Sequence, residues 1–164
     1  MTISEITAKM IDFYQGNLHD INHFMKVYAY AKTIGECEHL DAETQMLLEV
    51  TAIVHDIACP LCREKYGNAN GKLQEQEGPA LTAEFLRDSG LTQSQIDRVV
   101  YLVGHHHTLN GIHGPDYQIL IEADYLVNAD ESHFTKENIQ NTLKNVFQTA
   151  TGRRILKSIY SVTG

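Results

Sequence analysis

A chain of 164 residues and 18.5 kDa is long enough for one well-filled core and short for two ordinary domains, so residues 1–164 are read as a single domain. An apolar share of 43% with 21% charged residues excludes a disordered chain, and a net charge of -8 with no Lys/Arg stripe excludes broad nucleic-acid binding. No apolar run approaches bilayer length and no basic segment precedes an apolar stretch at the N-terminus, so no membrane partner, no signal peptide and a cytoplasmic location are expected.

Apolar residues recur at helical spacing and nowhere in sustained alternation, which predicts an all-α fold. In chain order, helices are expected at roughly 3–14, 20–38, 41–57, 79–89, 92–107, 117–130, 135–149 and 152–162. Thr2 with Glu5 and Thr92 with Gln95 have capping-box spacing, Asp41 and Thr135 are expected N-caps, and Gly16 and Gly90 sit where helices stop. Residues 59–78, with Gly67, Asn68, Asn70, Gly71 and Gly78, read as a long loop, with Pro79 at the first position of the next helix. That loop leaves directly from His55-Asp56, and long ordered loops are more often functional than decorative.

The odd set Cys37, Cys59 and Cys62 gives no disulfide framework. Cys59 and Cys62 have CxxC spacing, but structural zinc needs further ligands and a thioredoxin-type site needs a βαβ setting, so both are read as ordinary helix-end cysteines.

The histidines say more. The helix at 41–57 is apolar nearly all round toward its end, which buries His55 and Asp56. A carboxylate in such a place requires a cation or a dense set of hydrogen bonds. Other inward stripes carry the same residue types. His23 leads to Val27, Ala31 and Ile34; Asp124 lies on the face of Tyr117, Leu120, Ile121 and Val127. His106 extends Ile96, Val99 and Val103, and His107 extends Val100 and Val103. Carboxylates and imidazoles converging on one small core are coherent if they share a metal, so a metal site is expected.

The order His23, His55-Asp56, Asp124 resembles the H…HD…D signature of the HD-domain superfamily over residues 20 to 130, with C-terminal helices at 135–162 beyond it. The segments Val103–Thr108 and Ile119–Asn128 are similar to the distal half of bacterial HD phosphohydrolases. The resemblance implies a helical bundle with a central metal site held by His23, His55, Asp56 and Asp124, and hydrolysis of phosphomonoester or phosphoanhydride bonds, often in nucleotides. Asp56 and His55 are then the catalytic pair. Two-metal members bridge their ions with the Asp of the HD pair and add later histidines. In this chain Glu77-Gly78-Pro79 stands where such members resemble His-Gly-Pro, and the run His105 to His107 supplies the later place. Glu77, His106 and His107 are therefore the second-metal candidates, with His105 the alternative to His107.

The implied cofactor is one or two divalent ions per chain, among Fe, Mn, Ni, Co, Zn and Mg. The partner is a small phosphorylated substrate, with Arg63, Lys65 and Lys72 of the loop as candidates for its phosphate. Two alternatives come with the scaffold: a di-iron oxygenase, against which Glu77 in a histidine's place argues, and a non-catalytic nucleotide-binding regulatory module, which would more naturally have lost one of the four residues.

Overall fold

The computed structural model describes residues 1–164 and contains nine helices and no strand. They are α1 (Ile3–Phe13), α2 (Leu18–Cys37), α3 (Ala42–Val54), α4 (Cys59–Tyr66), α5 (Gly71–Leu86), α6 (Gln93–Val103), α7 (Pro115–Glu131), α8 (Lys136–Asn145) and α9 (Ala150–Tyr160). Both expected capping boxes form, at Thr2 with Glu5 and at Thr92 with Gln95, and Asp41 and Thr135 accept from the first-turn amides of α3 and α8.

Residues 59–78 are not a loop. Gly67 ends α4 in the left-handed region at φ 77°, and the Asn70 side chain caps α5 by accepting from the Leu73 amide. The other glycines of this stretch serve close packing. A Cβ on Gly78 would stand 2.7 Å from Val103 Cγ1, and one on Gly71 would stand 2.6 Å from His107 Cγ, so small residues let α5 lie against α6 and the segment after it. Pro79 accordingly sits inside α5 and not at its start, removing one backbone donor without ending the helix. Two other helices stop earlier than their apolar stripes suggest: α3 ends at Val54 and α6 at Val103, and each passes into a turn that carries histidine.

The apolar residues form two clusters that share helices. From α3, Leu48 and Ala52 join one and Leu47, Val50 and Ile53 the other; from α2, Val27 and Phe24 divide in the same way. Helix α7 is buried along most of its length in the first cluster, and α1 lies in the second. The run Ala42–Tyr66, across α3 and α4, amends one sequence expectation, because it holds an 18-residue window of mean hydropathy 1.3, long and apolar enough to cross a bilayer. Its apolar window is 67% buried inside the protein, as the core position of α3 requires.

Glu122, fully buried on α7, holds the start of α9. Its carboxylate accepts from the Thr149 hydroxyl at 2.7 Å, from Gln118 Nε2 at 2.8 Å and from the Thr149 amide at 3.3 Å. Burial raises its pKa against these bonds. Gly152 packs directly on this carboxylate: an added Cβ would collide with Glu122 Oε1 and lie 2.7 Å from Thr149 Oγ1. A helical Gly→Ala change ordinarily stabilises by about 1 kcal/mol. Here the sign reverses, because the carboxylate is pinned on several sides and cannot yield. Gly152→Ala is expected to cost about 2 to 4 kcal/mol in urea denaturation; a cost under about 0.5 kcal/mol would contradict this packing.

Candidate metal centre

Two of the central histidines owe their orientation to helix ends. His55 is the C-cap of α3, and its Nδ1 lies 2.8 Å from the Ala52 carbonyl; His106 follows the end of α6, and its Nδ1 lies 2.8 Å from the Val103 carbonyl. The last carbonyls of a helix lack intrahelical donors, so the ring N–H of a histidine three residues on satisfies one and fixes the ring. His23, in the middle of α2, is fixed differently: its Nδ1 lies 2.7 Å from Glu131 Oε2 at the end of α7.

With Nδ1 of each ring bonded outward, each Nε2 is left to face one place and, when unprotonated, to offer its lone pair there. His23 Nε2 is 3.2 Å from His55 Nε2, 3.1 Å from Asp124 Oδ1 and 3.2 Å from Asp56 Oδ2. His55 Nε2 is 3.4 Å from Asp124 Oδ1 and 3.5 Å from Asp56 Oδ2. The other oxygen of Asp56, Oδ1, is 3.3 Å from His106 Nε2. Asp56 thus belongs to two groups with metal-ligand geometry, one with His23 and His55 and one with His106 and His107. Asp124 closes the first group from α7.

This donor set fits a divalent cation. His106 Nε2 is buried with no hydrogen-bond partner, and lone pairs of imidazole and carboxylate set against one another repel unless something positive lies among them. The electrostatics of the site make the same demand. Burial disfavours a charged His23, yet the facing carboxylates of Asp124, Asp56 and Glu131 outweigh it and raise the imidazole to about 10, so without a metal ion a proton on Nε2 stands where a cation would. Burial likewise acts against the anionic forms of Asp56 and Asp124, and the facing imidazoles hold both well below the usual carboxylate range. His55 is fully buried, as the sequence predicts, whereas Asp56 keeps 18% of its side chain exposed and so has an open edge.

Of the histidine run, His107 joins His106, while His105 turns away to stack on Tyr101 with 4.0 Å between ring centres and Nδ1 2.7 Å from the Tyr101 carbonyl. His107 is held from α5, by Gln74 Oε1 at 3.0 Å from its Nε2 and by Glu75 accepting from its amide. Glu77 stands outside both groups, its Oε1 accepting from the Tyr66 hydroxyl at 2.5 Å and Lys65 at 2.8 Å. These two donors hold the Glu77 carboxylate on the α4 side of α5, away from the two groups. Of the cations expected to meet the phosphate, Arg63 of α4 forks onto Asp20 at 2.6 and 3.0 Å and Lys65 of α4 pairs with Glu77, while Lys72 of α5 is exposed. Cys59 and Cys62 are buried free thiols in α4 and belong to neither group.

Sequence reasoning missed Glu131. Its signal was present, since it lies four residues past Val127 and seven past Asp124, on the stripe that points Asp124 inward. It also missed the cleft beside the centre, a cavity of about 230 Å³ running from His106, His107 and Asp124 along α7 to α8. Such outer partners orient metal-binding histidines and typically govern affinity by about 10- to 100-fold. Glu131→Ala is therefore expected to weaken binding of a divalent cation by about that factor while the helical circular-dichroism signal is kept. Affinity within about twofold of the parent would remove Glu131 from the site.

No family model matches the chain, and no curated protein matches it in sequence. Among solved structures, it is similar to the crystal structure of a predicted HD superfamily hydrolase from an uncultured Thermotogales bacterium. The TM-score is 0.70 at 23% identity, covering 96% of this chain and 84% of that one. The chain has the all-helical fold of that HD superfamily protein, the fold that the ordered residues His23, His55-Asp56 and Asp124 lead one to expect.

Proposed function

We propose that the protein is a metal-dependent phosphohydrolase that cleaves a phosphomonoester or phosphoanhydride bond in a small phosphorylated substrate, a nucleotide foremost, and that it works in the cytoplasm. The observation that carries this reading is the position of Asp56, with Oδ2 3.2 Å from His23 Nε2 and Oδ1 3.3 Å from His106 Nε2. A carboxylate split between two imidazole groups is suited to bridging two ions. In this reading His23, His55, Asp56 and Asp124 hold the first, and Asp56, His106 and His107 the second, with Glu77 left as a surface partner of Lys65. The hydrolase named for the similar structure supports the same reaction class.

A divalent cation bound there would acidify water, polarise a phosphoryl oxygen and offset charge building on the transferring group. The mixed nitrogen and oxygen donors suit Fe, Mn, Co, Ni or Zn better than Mg. The chain's own residues supply placement. Asp56, held low in pKa, stays anionic at neutral pH, which favours a bridging ligand over a general base, whose best pKa lies near the working pH. Glu131, Ala52 and Val103 fix the three rings so that their lone pairs need no rearrangement on binding. Arg63, Lys65 and Lys72 do not line the cleft, so the phosphoryl charge is met at the centre itself.

The test couples elemental analysis to phosphate release from a panel of nucleotides and other phosphate esters under several added metals. His55→Ala and Asp56→Ala are each expected to lose bound metal and at least about a hundredfold in turnover. Full metal content and turnover in either variant, or no phosphate release by the metal-loaded parent from any compound, would overturn the proposal.

A further inference from the structure

The cleft that opens from the centre has a lining that chooses among phosphorylated compounds. It begins at His106, His107 and Asp124, and beyond them its walls carry no lysine, arginine or further carboxylate. Its apolar surface comes from Ile121 and Tyr125 of α7, from Val146 at the end of α8, and from Leu109 and Phe134. The polar groups outside the metal-side residues are uncharged: the Asn128 carboxamide, the Thr142 hydroxyl and the Tyr125 hydroxyl, the last donating to Asn138 at 2.6 Å. Leu109 and Phe134, 52% and 36% exposed, both stand on this cleft and add to its apolar surface. The Phe134 and Tyr125 rings lie 5.5 Å apart at 36°, forming an aromatic wall.

From this lining, and resting on the phosphohydrolase reading above, we propose that the substrate carries a single phosphate esterified to a small, uncharged alcohol bearing an apolar ring. The phosphate belongs at the centre, and the ring lies against Tyr125 and Phe134, where flat apolar surface is removed from water on both sides. A second or third phosphate would enter walls with no cation to meet it, and an unpaired charge there is strongly disfavoured. A polyhydroxylated sugar would forfeit hydrogen bonds to water against Leu109, Ile121 and Val146. The cleft, of about 230 Å³ and open to solvent at its mouth, has room for one flat ring against this wall while the rest of the alcohol reaches toward water. In the reaction a water oxygen bonds to phosphorus, the ester P–O bond breaks, and the alcohol leaves with a proton taken from that water, giving inorganic phosphate. Atoms balance with water as the sole co-reactant.

Binding and turnover are measured together on the metal-loaded full chain. Calorimetry compares phenylphosphonate, methylphosphonate and methylenediphosphonate, which resist hydrolysis. Turnover compares phenyl phosphate, a nucleoside monophosphate, the matching di- and triphosphates, and glucose 6-phosphate. Phenylphosphonate is expected to bind about tenfold or more tightly than methylphosphonate, and the ring-bearing monoesters to have the highest kcat/KM. Phe134→Ala, a change at a half-exposed position, is expected to bring the phenyl-to-methyl affinity ratio below about threefold with metal content unchanged. Equal affinity for the two phosphonates, or preference for triphosphate or sugar phosphate, would overturn the assignment and leave the hydrolase reading standing. Selective phenylphosphonate binding without phosphate release from any ester would do the reverse, sinking the hydrolase reading while the cleft keeps its ligand class.

Discussion

Three imidazoles and two carboxylates meet in the interior of a small helical bundle, and the rest of the structure is arranged around holding them there. Apolar packing would disperse such a set toward water, because each unpaired buried polar group costs on the order of 1 to 3 kcal/mol and each charge more. Here the set is assembled from four separate regions of the chain. His23 comes from α2, His55 and Asp56 from the end of α3, His106 from the turn after α6, and Asp124 from α7. A cation shared among them would turn mutual repulsion into ligation and offset the otherwise unfavourable polarity of this part of the core.

The supporting structure reads as the means of keeping that set rigid. Helix α3 contributes to both apolar clusters, so its C-terminal end is fixed between them and His55-Asp56 has little freedom. The Tyr14 hydroxyl donates to the Asp56 carbonyl at 2.7 Å, tying α1 to the same turn. Arg63 on α4 grips Asp20 on α2, closing the chain that follows Asp56 against the helix that carries His23. On the opposite side, Gly71 and Gly78 bring α5 close enough for Gln74 and Glu75 to hold His107 and Thr108. The short reach of each device is what lets side chains from distant parts of the sequence converge within about one ligand distance.

Much of this was legible in the sequence, for reasons that differ by residue. Asp124 and His23 were readable because each sits on an apolar stripe of helical period, where a polar residue is conspicuous. The caps at Thr2, Asp41, Thr92 and Thr135 were readable because capping is local chemistry. The stretch 59–78 was misread because glycine has two uses: freedom at positive φ, as at Gly67, and close approach, as at Gly78, and only the neighbour Val103 distinguishes them. Glu77 drew attention through a resemblance of position, yet whether its carboxylate turns inward depends on Lys65 and Tyr66, which sequence spacing does not place beside it. The choice between His105 and His107 was not legible, because α6 ends before either and helical periodicity does not carry on to them.

The dependence of this core on a cation is tested most directly by anomalous diffraction from crystals of metal-loaded protein, with data on both sides of the metal's absorption edge. A strong peak is expected within about 2.0 to 2.3 Å of His23 Nε2, His55 Nε2 and carboxylate oxygens of Asp56 and Asp124. A second peak is expected on the other oxygen of Asp56, beside His106 and His107. Peaks confined to Cys59 and Cys62 or to surface carboxylates, with the central side chains unmoved and no density among them, would contradict that dependence.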